Sequence, residues 1–277
     1  MNGDHYPQRY NESPLITSPT LPVSIDYPVA LALRQLALAH DDYPKYLLAV
    51  EISALLHYIP DLYQKTLIAT LWNTGARINE ALSLCRRDFS FSGPYPYVSL
   101  ATLKQRQEKA LRGPGAPARN SVTNRLVPLS DPHYIEQLQT MIATLRIPME
   151  RKERRTGRMA PARIWEVTDR TVRTWLNDAV ARAAADGVTF SVPVTPHTFR
   201  HSYAMHMIYA GVPIKVLQGL LGHKSLKSTE VYTRIFALDV AAKQRVNFSM
   251  SETDAVAILR KSGCNVKYQS NIILVSV

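Results

Sequence analysis

The sequence predicts a mainly helical α+β fold that contains one small antiparallel β-sheet. Two observations lead to this prediction. Apolar residues recur three or four positions apart over most of the chain, which is the spacing that gives a helix one apolar face. Residues 97–103 and 125–129 are instead short runs of apolar and β-branched residues. The stretch between them is polar and rich in Gly and Pro, so the two strands are expected to pair through a long hairpin loop.

Helices are predicted throughout the first third of the chain after a loose arm. Residues 1–25 are rich in Pro, Ser, Thr and Asn and have no period, which indicates that arm. Gly75 can adopt the left-handed conformation that ends a helix, and the residue after Arg77 is predicted to begin the next one. Apolar spacing places these helices at residues 29–40, 45–58, 62–73 and 78–89.

The second half is predicted to be helical with one interruption. Residues 149–163 carry six Lys and Arg against two Glu and have no apolar stripe, which predicts a basic linker or loop. A strand-like run ends the chain at residues 271–277. Helices are predicted at residues 131–146, 168–187, 195–211, 213–221, 228–235, 238–248 and 252–261.

The charge of the chain favours a nucleic-acid partner. Lys and Arg number 33 against 22 Asp and Glu, so the formal net charge is +11 and the pI is near 9.7. The excess of positive charge is concentrated in residues 101–175, which contain fifteen basic and seven acidic residues. Such a surface attracts polyanions, of which nucleic acid is the commonest. A soluble basic protein without this partner is the alternative.

Cysteine content and hydropathy predict a soluble cytoplasmic protein. Cys85 and Cys264 lie far apart and outside any metal-ligand spacing, which argues against a disulfide framework. The N-terminus is polar and has no apolar core of a signal peptide. No apolar run approaches the ~18–20 residues of a membrane span, so we expect no membrane partner.

The segment TPHTFRHSYAMHMI predicts an anion site at the start of a helix. Thr195 is a good N-cap and a proline follows it, so His197 lies in the first turn and shares a face with Arg200, three residues later. Backbone N–H groups at a helix start point the same way and favour an anion. One alternative is a capped helix with incidental polar residues. Another is a zinc site at His197 and His201, but a third ligand at usable spacing is missing.

The segment LLGHKSLKSTEVYTR adds a histidine and a phenol. His223 follows a glycine that caps one helix, and Tyr232 falls near the start of the next. A tyrosine alone is usually a packing residue. Together with Arg77, His197 and Arg200, however, these groups suit phosphoryl transfer. Arginine forks bind phosphate oxygens, a hydroxyl can form a covalent intermediate, and imidazoles move protons.

Three motifs resemble those of the tyrosine recombinase (phage-integrase-like) family, which is structurally related to type IB topoisomerases. The segment NTGARINEALSL resembles the first-arginine motif of that family and contains Arg77 and Glu80. TPHTFRHSYA resembles its HxxR box, and LLGHKSLKSTEVYTR resembles its box of a histidine and a tyrosine nine residues apart. The resemblance covers roughly residues 45–248 and implies the catalytic domain of such a recombinase.

The resemblance also implies which residues attack and bind the phosphate. Tyr232 would attack a scissile phosphodiester and form a 3′-phosphotyrosyl bond. Arg77 and Arg200 would bind the non-bridging oxygens, while Glu80 orients Arg77 or its helix. His223 would donate a further hydrogen bond.

Proton transfer is implied for two further positions. His197 would assist removal of the phenol proton, and a lysine of the β-hairpin would protonate the 5′-oxygen that leaves. Lys104 matches that lysine best, and Lys109 is its rival. Neither a metal nor another cofactor is expected.

The resemblance implies partners and a domain organisation. The partners would be a double-stranded DNA recombination site, three further copies of the chain in a tetramer, and, in some systems, an accessory DNA-binding protein. Residues 1–44 would form a reduced N-terminal arm, residues 45–248 the catalytic domain and residues 249–277 a tail of unassigned role. We further expect DNA phosphates to be contacted by the basic run, that is by Arg151, Lys152, Arg154 and Arg155.

The kind of recombination is less closely specified by the sequence. The short N-terminal region resembles that of compact plasmid resolvases, which reduce plasmid multimers to monomers. An integrase or invertase of a mobile element would carry the same motifs. A DNA-binding regulator that does not cleave DNA would not need Tyr232, and the spacing of the last box favours a recombinase over a topoisomerase.

Overall fold

A computed structural model of the chain describes residues 27–38, 44–102, 123–152, 156–190, 192–244 and 250–262. The chain divides into two compact units, residues 1–237 and 238–277. No helix within the described ranges is long and apolar enough to cross a membrane. The predicted fold class, mainly helical with small antiparallel sheets, is confirmed. The helices are α1 (Tyr27–Leu38), α2 (Ala49–His57), α3 (Leu62–Thr74), α4 (Ile78–Leu82), α5 (Pro132–Thr144), α6 (Asp169–Ala185), α7 (Pro196–Tyr209), α8 (Ile214–Leu221), α9 (Lys227–Gln244) and α10 (Glu252–Ser262).

The larger sheet contains the two predicted strands and one that was not predicted. Strands β1 (Phe89–Ser90), β2 (Tyr97–Thr102) and β3 (Thr123–Pro128) pair antiparallel in that order. The two residues of β1 are too few to show a period, which is why no pattern indicated this strand. Residues 103–122, between β2 and β3, which were predicted to form a hairpin loop, lie outside the described residues.

The basic run predicted to be a linker contains a second small sheet, so that prediction was wrong. Strands β4 (Glu150–Lys152) and β5 (Met159–Pro161) pair antiparallel, with Arg151 opposite Ala160. Backbone pairing of this kind needs no apolar face, so the period of side chains did not reveal it. The chain then enters the core, where Trp165 is fully buried.

Three helices differ from their predicted bounds for identifiable reasons. Helix α2 begins four residues later than predicted because Leu47 and Leu48 donate their backbone N–H groups to Ser202 and Glu51. Helix α4 ends at Leu82, and the Asp88 carboxylate accepts from the N–H of Cys85 at 2.8 Å at the start of a 3₁₀ turn. Helix α9 is continuous where two helices were predicted, since its sequence contains neither Gly nor Pro.

Two apolar clusters hold the first unit together. The larger one joins α2 to α6 with the three-stranded sheet. The smaller one joins α1, α7, α8 and α9 and includes the ring of Tyr232. Helix α1 is tied to α2 by a buried ion pair between Arg34 and Glu51. The described candidates for phosphate binding and nucleophilic attack lie at or next to the ends of α3, α7 and α8 and in α9.

Candidate active site

A tight turn after α3 presents Arg77. Gly75 ends α3 in the left-handed conformation, with φ of 60°. A Cβ at this position would lie 2.4 Å from the ring of Tyr203, so only glycine fits here. Arg77 is then the N-cap of α4, and its side chain stays 34% exposed. The predicted C-cap and helix start are both confirmed.

Arg200 is buried and joins the ends of two helices. Its Nη1 donates to the carbonyl of Gly75 at 2.7 Å, and its Nη2 donates to the carbonyl of Leu221 at 2.6 Å. Carbonyls at the C-terminal end of a helix have no partner within the helix, so the guanidinium satisfies them. Burial, aided by the charge of Arg77, lowers the pKa of Arg200 to about 10. The side chain therefore remains positive at neutral pH.

The carboxylate of Glu80 is buried between two arginines. It accepts from the backbone N–H of Arg77 at 2.9 Å and from the Arg77 Nη1 at 2.9 Å. Arg125 donates from Nη2 at 2.5 Å and from Nη1 at 3.2 Å. Burial raises the pKa of Glu80, but the hydrogen bonds and charges of Arg125 and Arg77 outweigh it and lower the pKa overall. Glu80 thus holds both guanidiniums in place.

Arg125 was missed by sequence reasoning. It lies on β3 opposite Leu100, and its Nε also donates to the carbonyl of Leu220 at 2.8 Å. The alternation of the strand carried a signal for it. Val127 is buried while Leu126 is 59% exposed, so Arg125 shares the inward face. An arginine on the buried face of a strand needs a buried partner, which here is a carboxylate of α4.

His197 and His201 occupy the first two turns of α7, which begins at its predicted cap. Thr195 accepts from the N–H of Thr198 at 3.2 Å. The two imidazole rings meet edge to face, with centroids 4.3 Å apart. Partial burial of the ring and the nearby charge of Arg200 lower the pKa of His197. Among the described residues no group of three His, Cys, Asp or Glu side chains could hold a metal ion.

His223 follows the left-handed Gly222 that ends α8. Its Nδ1 and the Thr229 hydroxyl form a hydrogen bond of 2.9 Å, and its backbone N–H donates to the carbonyl of Gln218. Burial, together with the charges of Arg200 and other arginines, lowers the pKa of His223 to about 4. The ring is therefore neutral at neutral pH, and its Nε2 is the nitrogen that the Thr229 hydroxyl does not occupy.

Tyr232 lies in the second turn of α9 and is 2% exposed. Its hydroxyl and the Nδ1 of His201 form a hydrogen bond of 2.9 Å. Burial raises the pKa of Tyr232 to about 12, although Arg200 and Arg77 act in the opposite direction. The motifs gave no role to His201. Its contact with Tyr232 depends on how α7 and α9 pack, which the sequence alone does not reveal.

Four of the predicted site residues lie outside the described ranges. Lys104 and Lys109 fall between β2 and β3, and Arg154 and Arg155 fall between β4 and β5.

The other two residues of the basic run are exposed on β4. These are Arg151 and Lys152. Arg151 forms a surface ion pair of 2.5 Å with Glu166. Both side chains are therefore placed at the surface, where a polyanion could reach them.

The chain is similar to known DNA-acting proteins. A model of the phage integrase family matches residues 45–238. A resolvase of Escherichia coli strain K12 is 71% identical over 242 residues, which is 87% of this chain and 90% of the relative. A tyrosine recombinase of Thermosipho africanus is 33% identical over 195 residues, which is 69% of this chain but only 58% of that relative.

A solved structure of the Tn1549 transposon integrase in complex with a circular intermediate DNA has the same fold. The TM-score is 0.53 at 18% identity, and the match covers 80% of this chain and 67% of the integrase chain. At this identity the likeness concerns the fold alone.

Removal of Glu80 should destabilise the protein more than removal of an exposed carboxylate. Glu80→Ala leaves Arg125 buried without its partner, so the free energy of unfolding should fall by about 3–5 kcal/mol. Glu166→Ala, which breaks the exposed pair with Arg151, should cost less than about 1 kcal/mol. Urea denaturation at neutral pH measures both values.

The same variant should show a pH dependence with a defined sign. The pKa of Glu80 is lowered on folding, so its contribution is present above the unfolded pKa of about 4.3 and is lost as the pH falls through the folded pKa. The difference between wild type and Glu80→Ala should therefore shrink towards pH ~3. Equal costs for Glu80→Ala and Glu166→Ala at neutral pH would contradict the central position given to Glu80.

Proposed function

Because this chain belongs to the phage integrase family, we propose that it is a tyrosine-type site-specific DNA recombinase that cuts and rejoins DNA through a 3′-phosphotyrosyl intermediate. One observation carries the proposal. Two arginines, two histidines and a buried tyrosine from separate parts of the sequence meet at the ends of α3, α7, α8 and α9. The arginines favour a phosphate there, and the tyrosine is the hydroxyl nucleophile next to it.

Arg77 and Arg200 would bind the non-bridging oxygens of the scissile phosphate. Two of the five N–H donors of Arg200 bind backbone carbonyls, which fixes the orientation of the guanidinium that would bind the anion. Arg77 is fixed by Glu80 on one side and exposed on the other. Fixed donors of this kind stabilise the negative charge that develops in the transition state without reorganising first.

His223 would donate a third hydrogen bond to the phosphate. It is neutral because burial lowers its pKa to about 4. If the Thr229 hydroxyl donates to Nδ1, the single ring proton resides on Nε2, which can then donate to a phosphate oxygen. Thr229 is fully buried and so fixes the orientation of the ring.

The reaction would exchange one phosphoester for another of similar energy. The Tyr232 oxygen bonds to phosphorus, the bond to the 5′-oxygen breaks, and Lys104 gives that oxygen a proton. The resemblance assigns His197 to the removal of the phenol proton. Rejoining is the reverse reaction with a 5′-hydroxyl from the partner strand. The chemistry is that of a type IB topoisomerase and requires neither ATP nor a metal ion.

Strand exchange would require two DNA sites and four copies of the chain. Each copy forms one covalent bond, so two duplexes cut on both strands need a tetramer. Residues 45–248 would form the catalytic domain of each copy, and the end of α9 with the residues up to Phe248 would dock on a neighbour. An accessory DNA-binding protein would assist the assembly in some systems. We expect the protein to act in the bacterial cytoplasm, where its DNA substrate would be.

The resolution of plasmid multimers is the reaction we propose. The relative with 71% identity is named a resolvase, and the present chain covers 90% of it. Resolution joins two directly repeated sites on one molecule and yields two circles. Inversion would act on inverted repeats within one plasmid and integration on sites in two separate molecules, so substrates with each arrangement of the cognate site distinguish the three reactions. A regulator of the same fold would bind the site and leave the plasmid unchanged.

Tyr232→Phe should abolish covalent attachment and retain DNA binding. A nicked suicide substrate with the cognate site traps the intermediate, because the released fragment diffuses away before it is rejoined. Wild-type protein should give a protein–DNA adduct that peptide mapping places on Tyr232. Tyr209→Phe, which removes another hydroxyl from the same region, is the control and should form the adduct normally. An adduct formed by the Tyr232→Phe variant would disprove the nucleophile.

The leaving-group test separates Lys104 from Lys109. A general acid is needed only because the 5′-oxygen is a poor leaving group, and a sulfur in its place leaves without a proton. Lys104→Ala should lower cleavage of the normal substrate by about 10²–10⁴-fold and should cleave the 5′-phosphorothiolate substrate like wild type. A defect confined to Lys109→Ala and removed by sulfur would transfer the role to Lys109.

The basic run should contribute DNA affinity without sequence preference. The salt slope of log K falls by about 0.9 for each phosphate that the protein no longer binds, so Ala at Arg151, Lys152, Arg154 and Arg155 should reduce the slope by about 2–4 units. Binding to cognate and random DNA should weaken equally, because phosphate contacts do not read bases. Glu166→Ala is the control in the other direction: it releases Arg151 from its ion pair and should not reduce the salt slope. An unchanged slope would show that the run does not contact the duplex.

A further inference from the structure

The hydroxyl that would attack DNA already has a partner that no motif assigns. The Tyr232 oxygen and the Nδ1 of His201 lie 2.9 Å apart, and the two ring centroids are 5.7 Å apart. His201 follows Arg200 directly in the sequence, so the side chain that would bind phosphate and the one that contacts the nucleophile are fixed on the same turn of α7.

His197 is placed differently from His201. His197 is exposed and meets the ring of His201, with centroids 4.3 Å apart. Within the described part of the chain, the side chain that hydrogen-bonds the Tyr232 hydroxyl is His201. His201 therefore contacts both of the other rings and is the histidine next to the nucleophile.

The nucleophile needs help to lose its proton. Burial raises the pKa of Tyr232 to about 12, so only about one molecule in 10⁵ carries a phenolate at neutral pH. His201 is uncharged, because burial, aided by His197, Arg200 and His223, lowers its pKa to about 3. A neutral imidazole has one nitrogen that can accept a proton, and Nδ1 is the nitrogen that faces the phenol.

We propose that His201 is a further catalytic residue, which takes the step that the resemblance assigns to His197: it orients the Tyr232 hydroxyl in the free protein and receives its proton at Nδ1 when the Tyr232 oxygen bonds to phosphorus. The proposal rests on the recombinase function proposed above and specifies its proton path. In the forward step the phenol proton moves to His201 while the 5′-oxygen leaves with a proton from the general acid. In rejoining, His201 returns the proton to the phenolate as the phosphotyrosyl bond breaks.

The DNA phosphate itself would make His201 a better base. An imidazolium at His201 is disfavoured first by burial and then by its positive or titratable neighbours, which are His197, Arg200 and His223. A phosphodiester bound by the two arginines brings a negative charge that offsets their effect. The affinity of His201 for a proton therefore rises only when the substrate is present.

The test separates orientation from proton transfer. The side-chain oxygen of Asn occupies nearly the position of Nδ1 and accepts a hydrogen bond, but it cannot accept a proton. With saturating nicked suicide substrate, His201→Asn should cleave about 100-fold more slowly than wild type and bind DNA equally well. His206→Asn, at another largely buried histidine of α7, is the matched control and should cleave within about threefold of wild type.

Two further measurements identify the missing base. Added imidazole should restore cleavage by His201→Ala about tenfold, because it can enter the space left by the ring. In both variants the rate should rise about tenfold per pH unit up to pH ~10, as the phenolate fraction of Tyr232 grows, while wild type stays level. These measurements also decide the matter if the Asn variant does not fold.

Three outcomes would overturn the assignment. The first is cleavage by His201→Asn at a rate within about threefold of wild type. The second is a defect of His201→Ala that neither imidazole nor high pH relieves, which would show a structural role. The third is that His197→Ala, and not His201→Ala, is rescued by imidazole and has a rate that rises with pH. In each case wild type would still form the Tyr232 adduct, whereas failure of the recombinase function would remove that adduct.

Discussion

The ion-pair network at Glu80 is the interaction on which the rest of the site depends. One buried carboxylate joins Arg77, at the start of α4, to Arg125, on the inner face of β3. Because a charge of this kind is unstable in a protein interior without partners, the network fixes the sheet against the helices. Arg200 also feels the charge of Glu80, and its own hydrogen bonds go to backbone carbonyls. Three positive guanidiniums are therefore balanced by a single negative carboxylate. The remaining positive charge is what a phosphate would neutralise.

The excess charge is tolerated because the arginines also complete the helix ends. Arg200 donates to the carbonyls of Gly75 and Leu221, and Arg125 donates to that of Leu220. These carbonyls carry the negative end of a helix dipole and lack partners within their helices. The same contacts make the geometry of the site a consequence of helix packing.

Local sequence signals correctly predicted the parts of this site that depend on local structure. Thr195 as a cap and Gly75 as a C-cap located α7 and α3 to within one or two residues, and the motifs identified the residues that meet. Contacts between elements far apart in the sequence were not predicted. Arg125 was overlooked although its strand alternates, because its partner Glu80 lies 45 residues away. The sequence contains no local signal for the role of His201, since its contact with the phenol exists only once α9 packs on α7.

The same packing explains why the nucleophile and its neighbours are uncharged in the free protein. Tyr232 belongs to the apolar cluster of α7, α8 and α9, and burial raises the pKa of the phenol while it lowers the pKa of His201 and His223. Each group is thus held in the form that makes hydrogen bonds rather than ion pairs. The positive field of the arginines acts on all three and favours a phenolate over an imidazolium. A bound phosphate would reduce the positive field at the histidines and so raise their affinity for a proton. Binding of the substrate would thus itself make the proton acceptor more basic.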